Sequence, residues 1–402
     1  MAILATADTK GQETQFLREQ VEAMGGAAVV FDIGVVGKPT TPTDFTREVI
    51  ADAGGRSLAS LLENPSRNEA MPIMTGGATK LMLQEIEAGR VHGVIGMGGT
   101  QGTSAGTAVM QALPYGFPKV MVSTVASGDT SAFVGIKDIT MMFSVGDIIG
   151  LNPVTRKILS NAAGATYGMA CSEVDLASTS GDKPMIGMTN LGVITDGALR
   201  AIEQFHAAGY EVIVFHAVGS GGRAMEQMMK DGLIGAVFDY GLGEIPDELY
   251  DGLRAGGDER LRVAGRLGIP QVICPGGLEH IGLFTEPNVV PEAWAGHQTT
   301  FHSPIIVAVR MNAEEMTRIA REITTRLAST KGKACFMMPK KGTSRYGIEG
   351  GELYDPIADE AFLTEIRASL PDTIELVERD LAAEDHEFVD EAVQRMIALI
   401  EG

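Results

Sequence analysis

The stretch Val94-Ile95-Gly96-Met97-Gly98-Gly99-Thr100-Gln101-Gly102-Thr103 decides the fold class of this chain. An apolar run ends in closely spaced glycines, and a segment with helical character follows. A strand, a glycine-rich turn and a helix in this order form the repeating unit of parallel α/β folds. The same order recurs at Val214-Phe215-His216-Ala217-Val218-Gly219-Ser220-Gly221-Gly222-Arg223. The two turns predict two α/β domains, either of which can hold a phosphorylated ligand.

Short apolar strands alternate with helical segments through both halves, which predicts mostly parallel sheets covered on both faces. In the first half, a helical stretch over 69–87 is expected to be interrupted by Gly76 and Gly77. In the second half, a helix is expected over 258–267, and a long irregular loop is expected between Cys274 and the strand at 304–311. The polar residues 178–184 are the best candidate for a linker. We therefore place an N-terminal nucleotide-binding subdomain at 1–180 and a C-terminal subdomain at 185–402.

The composition argues against several classes of binding partner. A formal net charge of −20 argues against electrostatic binding of nucleic acids or anionic membranes, which requires clustered Lys and Arg. No apolar run approaches the ~20 residues that cross a bilayer. The start of the chain lacks a basic region and resembles a first strand, and the three cysteines are far apart in sequence. These features predict a cytoplasmic protein without a disulfide framework.

The first glycine-rich turn is the leading candidate for a phosphate site. Small residues let the backbone approach an anion, and free amides at a helix start point towards it. The turn is not a Walker sequence, because no Gly-Lys-Ser/Thr follows, and its glycine spacing differs from the dinucleotide fingerprint. The alternative is close packing of strand and helix without a ligand. The residues predicted to bind the ligand here are Gly98, Gly99, Thr100, Gln101, Gly102 and Thr103.

Two neighbouring loops are expected to contribute. In Asp8-Thr9-Lys10, after the first strand, the lysine can neutralise a phosphate and the aspartate can hold a metal or a hydroxyl. In Ser127-Gly128-Asp129-Thr130, small polar side chains suit a polar ligand, and Asp129 together with Asp138 can hold Mg²⁺ beside phosphate oxygens. The alternatives are a capped helix start in the first loop and Asx or Ser/Thr turns in the second.

The second glycine-rich turn, Gly219-Ser220-Gly221-Gly222-Arg223, is the other candidate for anion binding. Arg223 at the start of the helix places a guanidinium beside the turn. The alternative is a glycine turn with a surface arginine.

A group of chemically active residues follows Cys274. Glu279, His280, His297 and His302 are the catalytic candidates, because imidazole titrates near neutral pH and can act as a general base. No CxxC or HExxH spacing accompanies them, so no metal site is predicted among these residues.

Several longer strings resemble those of a known family. They are 5–11 (ATADTKG), 96–103 (GMGGTQGT), 127–130 (SGDT), 152–156 (NPVTR), 215–226 (FHAVGSGGRAME) and 355–359 (DPIAD). The chain is similar to poorly characterised microbial proteins that resemble the N-terminal ATP-binding domain of the plant tobamovirus-resistance protein. The resemblance implies two Rossmann-like subdomains, ATP as ligand and a homodimer or larger assembly. The chain departs from the family at 276–280, 339–347 and 382–386.

Three functions follow as expectations. The first is binding of ATP, with or without Mg²⁺, or of a related phosphorylated small molecule. The second is a metabolic enzyme that acts on a small phosphorylated or oxo-acid substrate at an inter-domain cleft. The third is a non-catalytic nucleotide sensor that acts through protein partners.

Overall fold

The computed structural model describes residues 1–63, 66–174 and 183–402. It divides into two compact units, Met1–Val174 and Asp175–Gly402. Most of the expected linker, residues 178–182, lies outside the described residues. Within the described residues, no helix combines the length and the apolar character that a membrane span requires. The three cysteines are free thiols.

The first unit is an α/β layer structure around one parallel sheet. Its described strands are β1 (Ala2–Ala5), β2 (Val29–Asp32), β3 (Val94–Gly98), β4 (Lys119–Ser123) and β5 (Thr140–Phe143). Its described helices are α1 (Gly11–Ala23), α2 (Arg47–Ala53), α3 (Leu58–Glu63), α4 (Arg67–Glu87), α5 (Thr100–Gln111), α6 (Ser131–Val134) and α7 (Pro153–Ala170). The strand order is β2-β1-β3-β4-β5, and all pairings are parallel.

Helices cover both faces of this sheet, so every residue of its central strands β1, β3 and β4 is buried. Leu17 and Val21 of α1 pack with Leu159 of α7 in one core cluster. Val109 and Met110 of α5 pack with α2 and α4 in another. The chain therefore leaves β1 towards one face and β3 towards the other, which opens a crevice at the carboxyl ends of these adjacent strands.

The expected break in the helix at Gly76 and Gly77 is wrong. Helix α4 runs through both glycines, and Gly77 packs directly on α2. A Cβ atom on Gly77 would lie 1.9 Å from the Ile50 carbonyl oxygen, so the glycine permits a close helix–helix contact.

The second unit contains a larger sheet and a smaller one. Its described strands are β6 (Ile186–Asn190), β7 (Val212–His216), β8 (Ala236–Gly241), β9 (Gln271–Gly276), β10 (His280–Phe284), β11 (Thr299–Ser303), β12 (Ile306–Arg310), β13 (Ala334–Pro339) and β14 (Ile374–Arg379). Its described helices are α8 (Thr195–Ala207), α9 (Ser220–Lys230), α10 (Glu244–Leu249), α11 (Val263–Leu267), α12 (Ala313–Leu327), α13 (Pro356–Ser369) and α14 (His386–Glu401). The larger sheet is parallel, with the order β14-β13-β9-β8-β6-β7. The predicted α/β fold class is confirmed, and the sheets fit two Rossmann-like subdomains.

Two predictions in this unit are wrong. The expected irregular loop contains an antiparallel sheet of order β10-β12-β11, whose strand β11 carries mostly polar residues that hide it in the sequence. The expected helix over 258–267 is reduced to α11. Leu261 has φ +68°, and the Glu226 carboxylate accepts the amides of Leu261 and Val263, so the backbone there bonds to a side chain rather than to a helical turn.

Candidate functional site

The first glycine-rich turn presents free amides at the crevice of the first unit. Gly99 is the N-cap of α5, and the first helical hydrogen bond runs from the Thr103 amide to the Gly99 carbonyl at 2.8 Å. Among the described residues, no carbonyl or side chain accepts a hydrogen bond from the amides of 99–102. The positive end of a 12-residue helix thus carries unpaired donors, the arrangement that attracts a phosphate.

The glycines of this turn have different roles. A Cβ atom on Gly98 would lie 2.7 Å from the Cα atom of Gly102, so Gly98 lets β3 and α5 approach closely. A Cβ atom on Gly99 would meet no atom nearer than the Thr124 Oγ1 atom at 3.7 Å. Gly98 therefore serves packing, whereas Gly99 leaves the space in front of the amides open.

Thr103 supports the turn from inside. Its side chain is buried, and its Oγ1 atom lies 2.7 Å from the Ser123 Oγ atom at the end of β4. The Thr124 amide donates to the Gly98 carbonyl at 3.2 Å. These bonds fasten the loop after β4 to the glycine-rich turn.

The loop after β1 is fixed by two carboxylates. Asp8 accepts the amides of Thr9 at 2.9 Å and of Gly37 at 3.2 Å. Buried Asp32 accepts the amides of Ala7 and Gly34, each at 3.0 Å, and burial raises its pKa. Asp32 thus holds the loop in place instead of facing a ligand.

The side chains of Lys10 and Thr9 differ in how free they are to contact a ligand. The Lys10 Nζ atom donates to the Ile148 carbonyl, whereas the exposed Thr9 hydroxyl lies 2.9 Å from the Thr6 hydroxyl. The lysine therefore braces the loop before α7 and keeps donor capacity for an anion.

The loop after β4 is exposed at Ser127, Gly128 and Asp129. The Asp129 carboxylate accepts the Ser131 amide at 2.9 Å, and hydrogen bonds from Ser131 lower its pKa. Asp138 lies 2.9 Å from Lys119 and is not paired with Asp129. In the described part of the chain, no three His, Cys, Asp or Glu side chains form a metal-binding group.

The second glycine-rich turn already surrounds an anion from its own chain. Gly219 has φ +86°, and its amide donates to the Glu244 carboxylate at 2.6 Å, while the Gly222 amide donates to the same oxygen at 3.1 Å. A Cβ atom on Gly222 would lie 2.0 Å from the other carboxylate oxygen. Ser220 and Arg223 are exposed, and the Arg223 guanidinium donates to the Gly219 carbonyl at 3.2 Å.

Glu244 belongs to a buried ion network around Arg260. This arginine is fully buried and donates to Glu244 at 2.6 Å and to Asp239 at 2.5 and 2.6 Å. Glu226 lies 3.5 Å away, and its burial raises its pKa to about 7 against the opposing charge of Arg260. Side chains of the chain itself thus occupy the position that a ligand phosphate would take in this unit.

The catalytic candidates fall into two groups. The Glu279 carboxylate lies 3.0 Å from His280 Nδ1 and accepts the Thr343 hydroxyl at 2.6 Å. His280 Nε2 lies 3.4 Å from the guanidinium of buried Arg254. Burial raises the pKa of Glu279, but His280, Arg310 and Ser344 outweigh it, so the carboxylate stays ionised. Both nitrogens of this buried imidazole are therefore engaged by internal partners.

Tyr346 connects His280 with exposed His302. The Tyr346 ring packs edge-on against His280 at 5.7 Å, and its hydroxyl lies 3.4 Å from His302 Nδ1. His297 is engaged elsewhere, with its Nε2 atom 3.1 Å from Glu315 and its ring 5.0 Å from Trp294. Glu244, at the start of α10, and Arg254 and Arg260, between α10 and α11, were not predicted, since a buried charged residue at a helix end or in a loop carries no periodic signal for burial.

Comparison with known proteins places this chain in a family. The model of the N-terminal domain of UPF0261, an uncharacterised protein family, matches residues 1–175, and the model of its C-terminal domain matches residues 183–400. The chain belongs to the UPF0261 family. A UPF0261 protein of Clostridium tetani is 37% identical over 99% of this chain and 98% of its own length. A UPF0261 protein of Rhizobium meliloti is 37% identical over 97% of this chain and 96% of its own.

The resemblance to the plant resistance protein is also present. The ToMV resistance protein Tm-1(GCR237) of Solanum lycopersicum is 30% identical over 91% of this chain. The match covers 51% of the plant protein, so this UPF0261 chain corresponds to about half of it.

Proposed function

We propose that this UPF0261 protein binds ATP, or a related phosphorylated small molecule, at the crevice of its first unit. The observation that carries the proposal is the contrast between the two glycine-rich turns. The amides of 99–102 have no acceptor among the described residues, whereas those of Gly219 and Gly222 hold Glu244. Phosphate oxygens would satisfy the free donors, with the helix dipole adding about 0.3–1 kcal/mol.

The surrounding loops give the ligand further partners. Thr9 offers an exposed hydroxyl. The loop after β4, which is exposed at 127–129, is joined to the turn by the bond from the Thr124 amide to the Gly98 carbonyl. Because the chain carries a net charge of −20, recognition depends on these local donors. Asp8 and Asp129 are the carboxylates that would contribute to Mg²⁺ binding beside the phosphates.

Isothermal titration calorimetry with ATP, with and without Mg²⁺, tests the proposal. Gly99→Val places a side chain in the open space before the amides, in an extended backbone conformation that valine accepts. Gly76→Val is the matched control, because a Cβ atom on Gly76 meets nothing within 4 Å. We expect Gly99→Val to weaken ATP binding at least tenfold and Gly76→Val to leave it unchanged. Absence of heat at millimolar ATP, or equal binding by Gly99→Val, would contradict the proposal.

The proposal also covers the oligomeric state of the protein and its location in the cell. We propose a cytoplasmic homodimer or larger assembly, as the resemblance to the family of the plant protein implies. Light scattering coupled to size-exclusion chromatography tests the assembly, since a 42.5 kDa mass at micromolar concentration would contradict it.

A further inference from the structure

A cleft of about 570 Å³ lies in the first unit, along the outer face of α1. Gln12, Gln15 and Phe16 form one helical stripe, opposite the buried stripe of Leu17 and Val21 that packs on the sheet. The loop 40–42 forms one wall, and Leu151 and Arg156 form the other. The volume lies within the range of small-molecule sites.

The wall formed by 40–42 is firmly attached to α1. The Thr40 hydroxyl donates to the Ala7 carbonyl at 3.1 Å, and the Thr41 hydroxyl donates to the Gln15 side chain at 3.2 Å. A Cβ atom on Gly11 would lie 2.0 Å from the Thr40 Oγ1 atom, so this wall requires glycine at the helix start. The cleft is therefore built by specific contacts.

The opposite wall presents an arginine whose guanidinium lies over an aromatic ring. The Arg156 guanidinium carbon lies 5.1 Å from the centre of the Phe16 ring. Within the described residues, no carboxylate forms an ion pair with Arg156, and no side-chain hydrogen bond occupies its N–H groups. A guanidinium attracted to an aromatic ring forms no hydrogen bond with it, so its N–H groups stay available for two parallel hydrogen bonds to a carboxylate.

The remaining lining restricts the ligand further. Phe16 and Leu151 offer apolar surface to a flat or aliphatic body. Exposed Glu19 accepts the Gln15 amide at 3.0 Å and places a negative charge at the rim. This charge disfavours a ligand with a second anionic group.

We propose that the cleft between α1 and α7 binds a small organic monocarboxylate, held by the edge of Arg156 and packed on Phe16. The site is separate from the phosphate-binding turn. The turn is formed by α5, which covers the other face of the sheet from α1 and α7.

Ligand-observed fluorine NMR with 4-fluorobenzoate tests the proposal, and neutral 4-fluorobenzamide is the matched probe. We expect line broadening that titrates for the carboxylate and none for the amide at equal concentration. Arg156→Met should weaken the response at least tenfold. Lys157→Met removes the same charge from the neighbouring exposed position outside the cleft and should change it less than twofold.

Equal broadening by both probes, a flat titration to 20 mM, or an unchanged response of Arg156→Met would overturn the proposal. Displacement of 4-fluorobenzoate by ATP would also overturn it, because the probe would then occupy the phosphate turn. Gly99→Val should retain the carboxylate response, and Arg156→Met should retain whatever ATP affinity the protein has. The two sites therefore fail or succeed independently.

Discussion

The Glu244 carboxylate lies 2.6 Å from the amide of Gly219 and closes the second glycine-rich turn from inside the chain. A turn of this kind binds anions because its amides point to one centre. Here the anion is an internal carboxylate, compensated by Arg260. The same type of turn thus binds an internal carboxylate in the second unit, whereas in the first unit its amides have no internal acceptor among the described residues.

Removal of Glu244 should destabilise the second unit. Glu244→Ala leaves Arg260 with one fewer buried partner and leaves two amides unpaired, so we expect a loss of about 3–5 kcal/mol in the free energy of unfolding. The only tryptophan, Trp294, lies in the second unit, so its fluorescence during urea unfolding reports on this unit. Exposed Glu203→Ala is the control. A loss below ~1 kcal/mol would show that Glu244 does not stabilise the second glycine-rich turn. Glu244→Gln offers a milder variant if Glu244→Ala does not fold.

Stability of the second unit should fall as the pH rises from 5 to 8. Burial raises the pKa of Glu226 to about 7 in the folded state, so the folded protein binds a proton more tightly than the unfolded chain. The resulting stabilisation is complete below the unfolded pKa near 4.5 and is lost as the pH passes the folded pKa. Asp359, whose burial raises its pKa to about 6, contributes in the same direction.

Urea unfolding followed by Trp294 fluorescence at several pH values measures this slope. Glu226→Gln imitates the protonated carboxyl and should flatten the dependence between pH 5 and 7, with a change on the order of 2–3 kcal/mol across the range. A wild-type stability that rises over this interval, or an equal slope in Glu226→Gln, would show that Glu226 is not responsible.

Gly98 and Gly99 should respond differently to alanine. Gly98→Ala forces a Cβ atom to 2.7 Å from the Gly102 backbone, so we expect a cost of about 1–3 kcal/mol from overpacking between β3 and α5. Gly99→Ala meets no close atom and should be neutral within ~0.5 kcal/mol. Far-UV circular dichroism follows unfolding of the whole chain, with Trp294 fluorescence as reference for the second unit. Equal costs for the two variants would contradict the assigned roles.

Thr103→Val should destabilise the first unit by about 1–2 kcal/mol. The substitution keeps the shape of the side chain but removes the buried contact with the Ser123 hydroxyl at 2.7 Å. Ser127→Ala removes an exposed hydroxyl from the loop after β4 and should have little effect. Thermal unfolding by circular dichroism compares the two variants, and a neutral Thr103→Val would mean that the hydroxyl pair does not support the turn.

The fold was largely predictable because its signals are local. A buried parallel strand such as β3 is a short apolar run, and the glycines after it mark the start of α5. Strand β11 escaped prediction because it lies in a small antiparallel sheet and carries polar residues. The helix expected over 258–267 failed because the Glu226 carboxylate, more than thirty residues away in sequence, captures its backbone amides.

From the sequence, the two glycine-rich turns were equally good candidates for the binding site. Both glycine-rich turns satisfy the same local rule, and nothing near Gly219 indicates that Glu244, 25 residues later, fills the turn. Asp32 at the end of β2 is likewise occupied by partners of its own unit, the amides of Ala7 and Gly34. Such long-range partners depend on which loops the sheet order brings together.

By itself the sequence determined the fold class, the two glycine-rich turns and the family. These features depend on the order of residues that are close together in the sequence, such as the periodicity of strands and helices and the position of glycines. Only the tertiary structure decided which turn keeps its amides free. An N–H donor is satisfied by any acceptor that lies within about 3 Å in space, and the position of that acceptor along the chain does not reveal it.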